Sequence, residues 1–444
     1  MYKVAISLGE MTLKGFQTRS KFEKILKDNL KKSLNITKIR KDGGKFLLQI
    51  DEEDKEKIKY KLKRTFGIAT FAFVDEFNFT TLDELKEKIK EKYNDIKGKK
   101  FRITGKVLNH KGMNSIQLQK ILGEVLFNEG GIVKLKEYDL EIFVYLRENK
   151  VQIYEDIHKG PYGLPLGSEG KVLVLFSGGL DSPVASYEIM KRGCKPIFLF
   201  INLGGKDHLN QVYEIYRKLC DEWANGIEIE FYVIDGKKIV NIIKEKITPS
   251  YRQVVLKKCF YTTAEKTCIK NKCDAIITGE NLGQVSTQTL KNLNAIQSGI
   301  NKLIVRPLIT YEKDDIIKLA KNIGTYELSS GIGELCNISD KGGVKTAASV
   351  GGVEFEYSKI REEIEEYLEN VSIDTSTSQT PTQINWNNSI IIDLSKEKIN
   401  INKLKKDFFY IICCKDGIQA SIECDILKNL GFNCTSMKKS QIKK

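Results

Sequence analysis

The stretch KVLVLFSGGLDSPVASYEIMKRG, Lys171 to Gly193, restricts the fold more than any other part of this chain. It opens with an almost unbroken apolar run. A strand with one wet face would alternate; a continuous run reads as a strand buried on both sides. The run breaks at Ser-Gly-Gly and resumes with helical spacing from about Pro183, a residue favoured early in a helix. Four more runs follow, PIFLFINL, EIEFYVID, AIITG and LIVRPL, separated by helical stretches. Buried strands alternating with helices predict a doubly wound parallel sheet.

The residues before this series alternate differently. KVAISL and KFLLQI read as strands, and RSKFEKILKDNLKKSL places Phe22, Leu26 and Leu30 on one helical face. Residues 1–60 are expected to form an N-terminal ferredoxin-like domain. Residues 61–165 repeat the alternation, with IATFAFVDEF, a helix at 82–93, KFRITGK, a helix around SIQLQKILGEVLF, and a hairpin turning at Glu148-Asn149-Lys150. HKGPYGLPLGSEG is rich in Gly and Pro and reads as a linker. The parallel-sheet domain is expected over 166–372, closed by one charged helix, EYSKIREEIEEYLEN. A polar linker at 373–388 leads to a short α/β appendix at 389–444.

In an open parallel sheet, ligands bind beyond the carboxyl ends of the strands. The first strand of the series delivers Ser177-Gly178-Gly179-Leu180-Asp181-Ser182 to that edge. Glycines let amide N–H groups turn inward, and the helix N-terminus adds its positive end, which together make an anion site. Ser177 and Ser182 add hydroxyls. Asp181 would repel a phosphate unless a Mg²⁺ ion lay between them. The pattern is neither GxxxxGK[ST] nor GxGxxG.

Lys plus Arg number 72 against 58 Asp plus Glu, a net charge of +14. That excess suits a polyanionic partner, nucleic acid before membrane surface. No apolar run approaches a transmembrane length. The N-terminus lacks the layout of a signal peptide, so a cytoplasmic protein is expected, with no membrane partner. Its ten cysteines contain no CxxC pair, which argues against a zinc ribbon. His110, His158 and His208 are widely scattered and predict no metal site.

The form SGGxDS resembles the PP-loop of ATP pyrophosphatases, which split ATP between its α- and β-phosphates. The segments GPYGLPLGSEGKVLVLFSGGLDSPVASYEIMKRG, LFINLGG, IITGENLGQVSTQT, VRPLITYEKDDIIKLAKNIGTYELS and LCNISDKG resemble the tRNA 4-thiouridine synthase (tRNA sulfurtransferase) family in order, as does SLGEMTLKGFQTRSKFEKIL. The resemblance implies that 61–165 is a THUMP RNA-binding domain and that ATP adenylates uridine 8 of tRNA. Persulfide sulfur from a cysteine desulfurase then replaces O4, giving 4-thiouridine. It also implies sulfur delivery to thiamine thiazole synthesis; a sulfur-carrier protein as a further partner and a homodimer stay open.

Carried over by position, Ser177, Gly178, Gly179, Asp181 and Ser182 cradle the phosphates. Leu175, Phe176, Phe200, Ile201, Gly279 and Gln288 match nucleotide-contacting positions, although the four apolar ones suit a plain core equally well. Lys257 falls where the family usually has arginine. Cys336, in GELCNISDKGG, matches the cysteine near the active site. FFYIICCKDGIQAS resembles a rhodanese loop, so Cys414 would carry the persulfide and close a disulfide with Cys336. The appendix is short for a rhodanese domain, and a remnant with Cys413 or Cys414 simply buried is the competing reading. The other seven cysteines read as structural. Lys14, Arg19, Arg102, Lys106 and Lys111 are expected to meet tRNA phosphates on one face. Another PP-loop tRNA-modifying or amidating ligase, or a non-catalytic tRNA-binding or sulfur-carrier protein, stays open as an alternative.

Overall fold

A computed structural model describes residues 2–51, 55–110, 112–332, 343–371, 389–397, 399–414, 420, 423–424, 427 and 430–438. Strands β1 (Tyr2–Leu8), β2 (Ile39–Asp42), β3 (Lys45–Ile50) and β4 (Ile68–Phe73) form an antiparallel sheet in the order β4-β1-β3-β2. Helix α1 (Phe16–Leu34) covers it with the expected Phe22, Leu26 and Leu30, and α2 (Lys55–Leu62) adds Ile58 and Leu62.

A second sheet holds β5 (Asp75–Asn78), β6 (Lys100–Leu108), β7 (Ile132–Val133), β8 (Leu140–Arg147) and β9 (Lys150–Tyr154), in the order β5-β9-β8-β6-β7. Helices α3 (Leu82–Lys92) and α4 (Ser115–Asn128) pack on one face. Thr81 caps α3, and Asn114 with Gln117 forms a capping box on α4, which fixes where both helices begin.

The run IATFAFVDEF therefore serves two sheets, not one. Val4 pairs with Phe73 and Ile6 with Phe71, so the first unit extends past the expected boundary at 60/61. Period-2 alternation marks a strand but not its partner, which is why the boundary was displaced. Strand β10 (His158–Lys159) then returns to pair with β4. The Gly/Pro-rich stretch after it is not a loose tether. The Gly67 amide donates to the Tyr162 carbonyl at 2.8 Å, and Leu164 and Leu166 are buried.

The third sheet is parallel throughout, in the order β13-β12-β11-β14-β15: β11 (Lys171–Leu175), β12 (Lys195–Asn202), β13 (Glu230–Asp235), β14 (Ala275–Ile277) and β15 (Leu303–Val305). Both faces are covered. Val172, Val174, Phe198 and Phe200 face α5 (Asp181–Lys191) and α6 (Gly205–Trp223), while Leu173, Ile197 and Leu199 face α7 (Lys237–Lys246) and α8 (Arg252–Lys270). Helices α9 (Leu290–Gln297), α10 (Lys313–Ile323), α11 (Tyr326–Ser329), α12 (Val350–Ser358) and α13 (Arg361–Asn370) complete the layers. The single charged helix expected near 356–370 is two: Ile360 leaves helical geometry and is buried between them.

The first unit is locked to this domain. Phe66 stacks on Trp223, ring centres 5.6 Å apart, inside the same core, and the carboxylate of Glu10 takes two bonds from Arg192 at 2.7 and 2.9 Å. In the appendix, β16 (Ser389–Asp393), β17 (Phe409–Cys414) and β18 (Asn433–Lys438) make a parallel sheet in that order, backed by Tyr410, Ile412, Leu427 and Phe432. No helix among the described residues is long and apolar enough to cross a membrane.

Candidate active site

Strand order reverses at β11, with β12 on one side and β14 on the other. The loops after β11 and β14 consequently face each other at the carboxyl edge, the place where such sheets bind ligands. The loop Ser177–Leu180 fills this crevice. Its Gly178 has φ +75°, and a Cβ there would stand 2.8 Å from Val212 of α6, so only glycine fits. Ser182 holds the loop shut. Its Oγ accepts from the Ser177 amide at 3.1 Å and the Gly178 amide at 3.2 Å. Ser182 thus shapes the loop as an acceptor. The N–H groups of the first turn of α5 remain without intrahelical partners and point at the crevice.

Gly279, expected to touch nucleotide, lies directly against this loop. A Cβ on it would come within 2.9 Å of the Asp181 carbonyl carbon and the Ser182 nitrogen. Its lack of a side chain lets the β14 loop close on the start of α5. Behind it, the buried Glu280 accepts from Thr278 Oγ1 at 3.0 Å, from Arg306 Nε at 2.8 Å and from the Tyr261 hydroxyl. Burial, then the Glu280 charge, pushes the Tyr261 phenol well above its ordinary value. Gln288 caps this loop from the other side, its Oε1 accepting from the Asn281 amide at 3.3 Å.

Asp181 stands at the mouth. Lys313 Nζ donates to its Oδ1 at 2.7 Å, and Gln284 Nε2 to its Oδ2 at 3.1 Å. Neither partner was singled out from the sequence. One signal was available: Lys313 sits in the first turn of α10, where a cation opposes the helix dipole and needs an anionic partner. The crevice therefore combines amide donors, a lysine and a carboxylate, a set able to hold a polyphosphate and stabilise its cleavage.

The apolar positions divide. The Phe176 and Phe200 side chains point into the core, Phe176 against Phe198 at 4.8 Å and Phe200 against Phe231 and His208. Their rings do not face the crevice, so an aromatic platform for a base is not supplied by them. Ile201 is buried and Leu175 half-buried at the strand ends. Lys257, on α8, has its Nζ 5.8 Å above Phe260, and no bond joins it to the loop. Its neighbour Lys258 is the buried lysine, paired with Glu354 at 2.6 Å. Cys336, Lys111 and residues 415–419 and 421 of the rhodanese-like stretch lie outside the described residues, as does the side chain of Cys414. The Cys414 backbone closes β17. Cys259, Cys268, Cys273, Cys424 and Cys434 are buried, and Cys194 and Cys220 half-buried.

The basic residues expected on one face are only partly brought together. Arg19 is bound to Glu23 at 2.8 Å, and Glu23 also takes Lys41 at 2.7 Å. Arg102 is engaged by Glu141 at 3.7 Å. Lys14 and Lys106 are exposed. The larger concentration lies where the first two sheets meet. There Arg40, Lys41, Arg147, Lys150, Tyr145 and Asp42 line a cavity of about 240 Å³. Lys45 lies beside it, and burial, then the charge of Lys106, lowers its ammonium below the ordinary value. These cations come from four separate strands, β2, β3, β8 and β9, so no run in the sequence announces them.

Comparison with known proteins places each unit. The family model described as "Thiamine biosynthesis protein (ThiI)" matches residues 167–361, the "ThiI ferredoxin-like domain" matches 3–72, and the "THUMP domain" matches 78–156. The chain is similar to a "Probable tRNA sulfurtransferase" of Saccharolobus islandicus, 36% identical over 369 residues, which is 82% of this chain and 97% of the relative. It is 35% identical over 363 residues to the corresponding protein of Sulfurisphaera tokodaii, covering 80% of this chain and 97% of that one. Among solved structures it resembles a 4-thiouridine synthetase–RNA complex with bound ATP, at TM-score 0.74 and 26% identity, over 84% of this chain and 99% of the other.

Proposed function

The chain belongs to the tRNA sulfurtransferase family, and from that premise we propose that it uses ATP to convert uridine 8 of tRNA to 4-thiouridine. The observation that carries the reading is the crevice at β11, where loop amides, the start of α5 and the Asp181–Lys313 pair converge on one volume.

The chemistry follows from charge. A uracil carbonyl oxygen is a poor leaving group. O4 attacks the α-phosphorus of ATP, the bond to the β-phosphate oxygen breaks, and pyrophosphate departs. The base now carries AMP on O4. The amides of Gly179 and of the first turn of α5 hold the growing negative charge on the leaving pyrophosphate, and Lys313 adds a cation beside it. A persulfide then attacks C4, the C4–O4 bond breaks and AMP leaves. A second thiol attacks the inner sulfur of the resulting adduct, which frees thiouridine and leaves a protein disulfide for an external reductant.

Mg²⁺ fits this site. Each Asp181 oxygen takes one hydrogen bond and keeps a lone pair, and carboxylate oxygen is the hard donor that Mg²⁺ prefers. The described residues contain no cluster of three acidic, His or Cys side chains, so Asp181 would hold the ion together with the phosphates. When bound, the ion supplies neutralisation of phosphate charge. Cys414 is proposed as the persulfide carrier, Cys336 as the resolving thiol and a cysteine desulfurase as the donor. The same persulfide would serve thiazole synthesis.

The test compares tRNA from cells with and without the gene by mass spectrometry. 4-Thiouridine should vanish in its absence and return with the wild-type chain, but not with Asp181→Asn. In a desulfurase-coupled assay Cys336→Ser and Cys414→Ser should each block thiolation while pyrophosphate release survives. Full thiolation by Cys414→Ser would remove the appendix from the mechanism.

A further inference from the structure

The two most exposed large apolar side chains among the described residues stand three positions apart, Leu13 and Phe16, each 87% exposed. Single exposed apolar residues are commonplace, but this pair is built into a firm support. Met11, two residues earlier, is wholly buried in the first core. Glu10 is clamped by Arg192, and the short turn Glu10–Leu13 is closed by the Thr12 amide and hydroxyl on the Gly9 carbonyl at 3.1 and 3.0 Å. Phe16 opens α1. The tip is therefore held out rigidly, with Lys14 between its two apolar residues.

Its surroundings say what it fits. One turn along α1 from Phe16 is Arg19, bound to Glu23, which in turn holds Lys41 at the mouth of the basic cavity. The apolar tip thus stands beside two cations, Arg19 and Lys41, that share the Glu23 carboxylate, and next to Lys14. Cations beside an aromatic face are the parts of a single-strand nucleic-acid site, where cations track the backbone and the aromatic face takes a base. We infer that Leu13 and Phe16 form a platform on which an unpaired nucleobase of the RNA substrate stacks. This rests on the reading that the substrate is tRNA. RNA is recognised largely through unstacked bases laid on aromatic side chains, and the net charge of +14 favours a polyanion over a second copy of the same cationic chain.

The test measures binding of unmodified tRNA to the full chain across a salt series. Phe16→Ala should weaken binding about tenfold at every salt concentration, the loss expected for one stacked base, with the slope against salt unchanged because no phosphate contact is lost. Lys14→Ala should instead reduce the slope by about one. Phe16→Trp should bind as wild type and Phe16→Leu should not, which separates stacking from mere apolar packing. Equal melting temperatures would show that each variant is folded. Wild-type affinity in Phe16→Ala, rescue by Leu as good as by Trp, or a change in oligomeric state caused by Phe16→Ala would overturn the platform. Failure of the wild-type chain to bind tRNA at all would instead sink the proposed function.

Discussion

Gly279 shows how one missing side chain sets a reaction geometry. With 2.9 Å between a notional Cβ and the start of α5, Gly279→Ala must push the β14 loop away from Asp181. The expected outcome is at least a tenfold fall in ATP-dependent pyrophosphate release with tRNA affinity unchanged, since a small misplacement of reacting groups is costly. Lys313→Met should lower the same rate without disturbing the melting temperature, because its ion pair with Asp181 is partly exposed and contributes little to stability. The loop itself was legible from Ser-Gly-Gly at the end of an apolar run. Lys313 was not, because its partner lies 132 residues away and only the fold brings them together. Phe176 and Phe200 were ambiguous for a related reason: a residue at a strand end can face the core or the ligand, and alternation alone does not say which.

At the scale of elements, the β14 and β15 loops are tied by a buried carboxylate. Glu280, 7% exposed, takes Arg306, Thr278 and Tyr261 at once, and Arg306 also reaches Gln297 of α9 at 3.1 Å. Removing the cation alone strands a buried charge. Arg306→Met should therefore cost about 3–5 kcal/mol of stability, read by denaturant unfolding, and Arg306→Lys should recover only part of it. A loss below about 1 kcal/mol would mean that water already solvates Glu280. Helix positions were the most readable feature, since Phe22, Leu26 and Leu30 act through local spacing. Strand membership was less so. The segment from 68 to 78 divides between two sheets because pairing is a long-range property that local pattern does not carry.

For the whole molecule, the question is how an RNA-gripping half stays registered on a catalytic half. Glu222 of α6 takes the Tyr60 hydroxyl from α2 and Lys218 at 2.8 Å, and Arg64 lies over the Tyr60 ring at 3.7 Å. Burial alone would raise the Glu222 carboxyl. The hydrogen bonds from Lys218 and Tyr60 and the charge of Arg64 outweigh it, and the net shift is downward from 4.5. A carboxyl lowered in the folded state stabilises above its unfolded value and loses that contribution as pH falls through the folded one. Docking of the two halves should thus weaken below about pH 4.5, seen as easier proteolysis between residues 60 and 170, and Glu222→Gln should flatten that dependence.

The central claim is that ATP is cut between its α- and β-phosphates to activate a base in tRNA. The most direct measurement follows ATP labelled in the α- and γ-phosphates through a reaction with the full chain, Mg²⁺, a persulfide donor and unmodified tRNA. The account predicts AMP and pyrophosphate, formed one for one with 4-thiouridine and dependent on the RNA. ADP with orthophosphate, or thiolation without pyrophosphate, would contradict it.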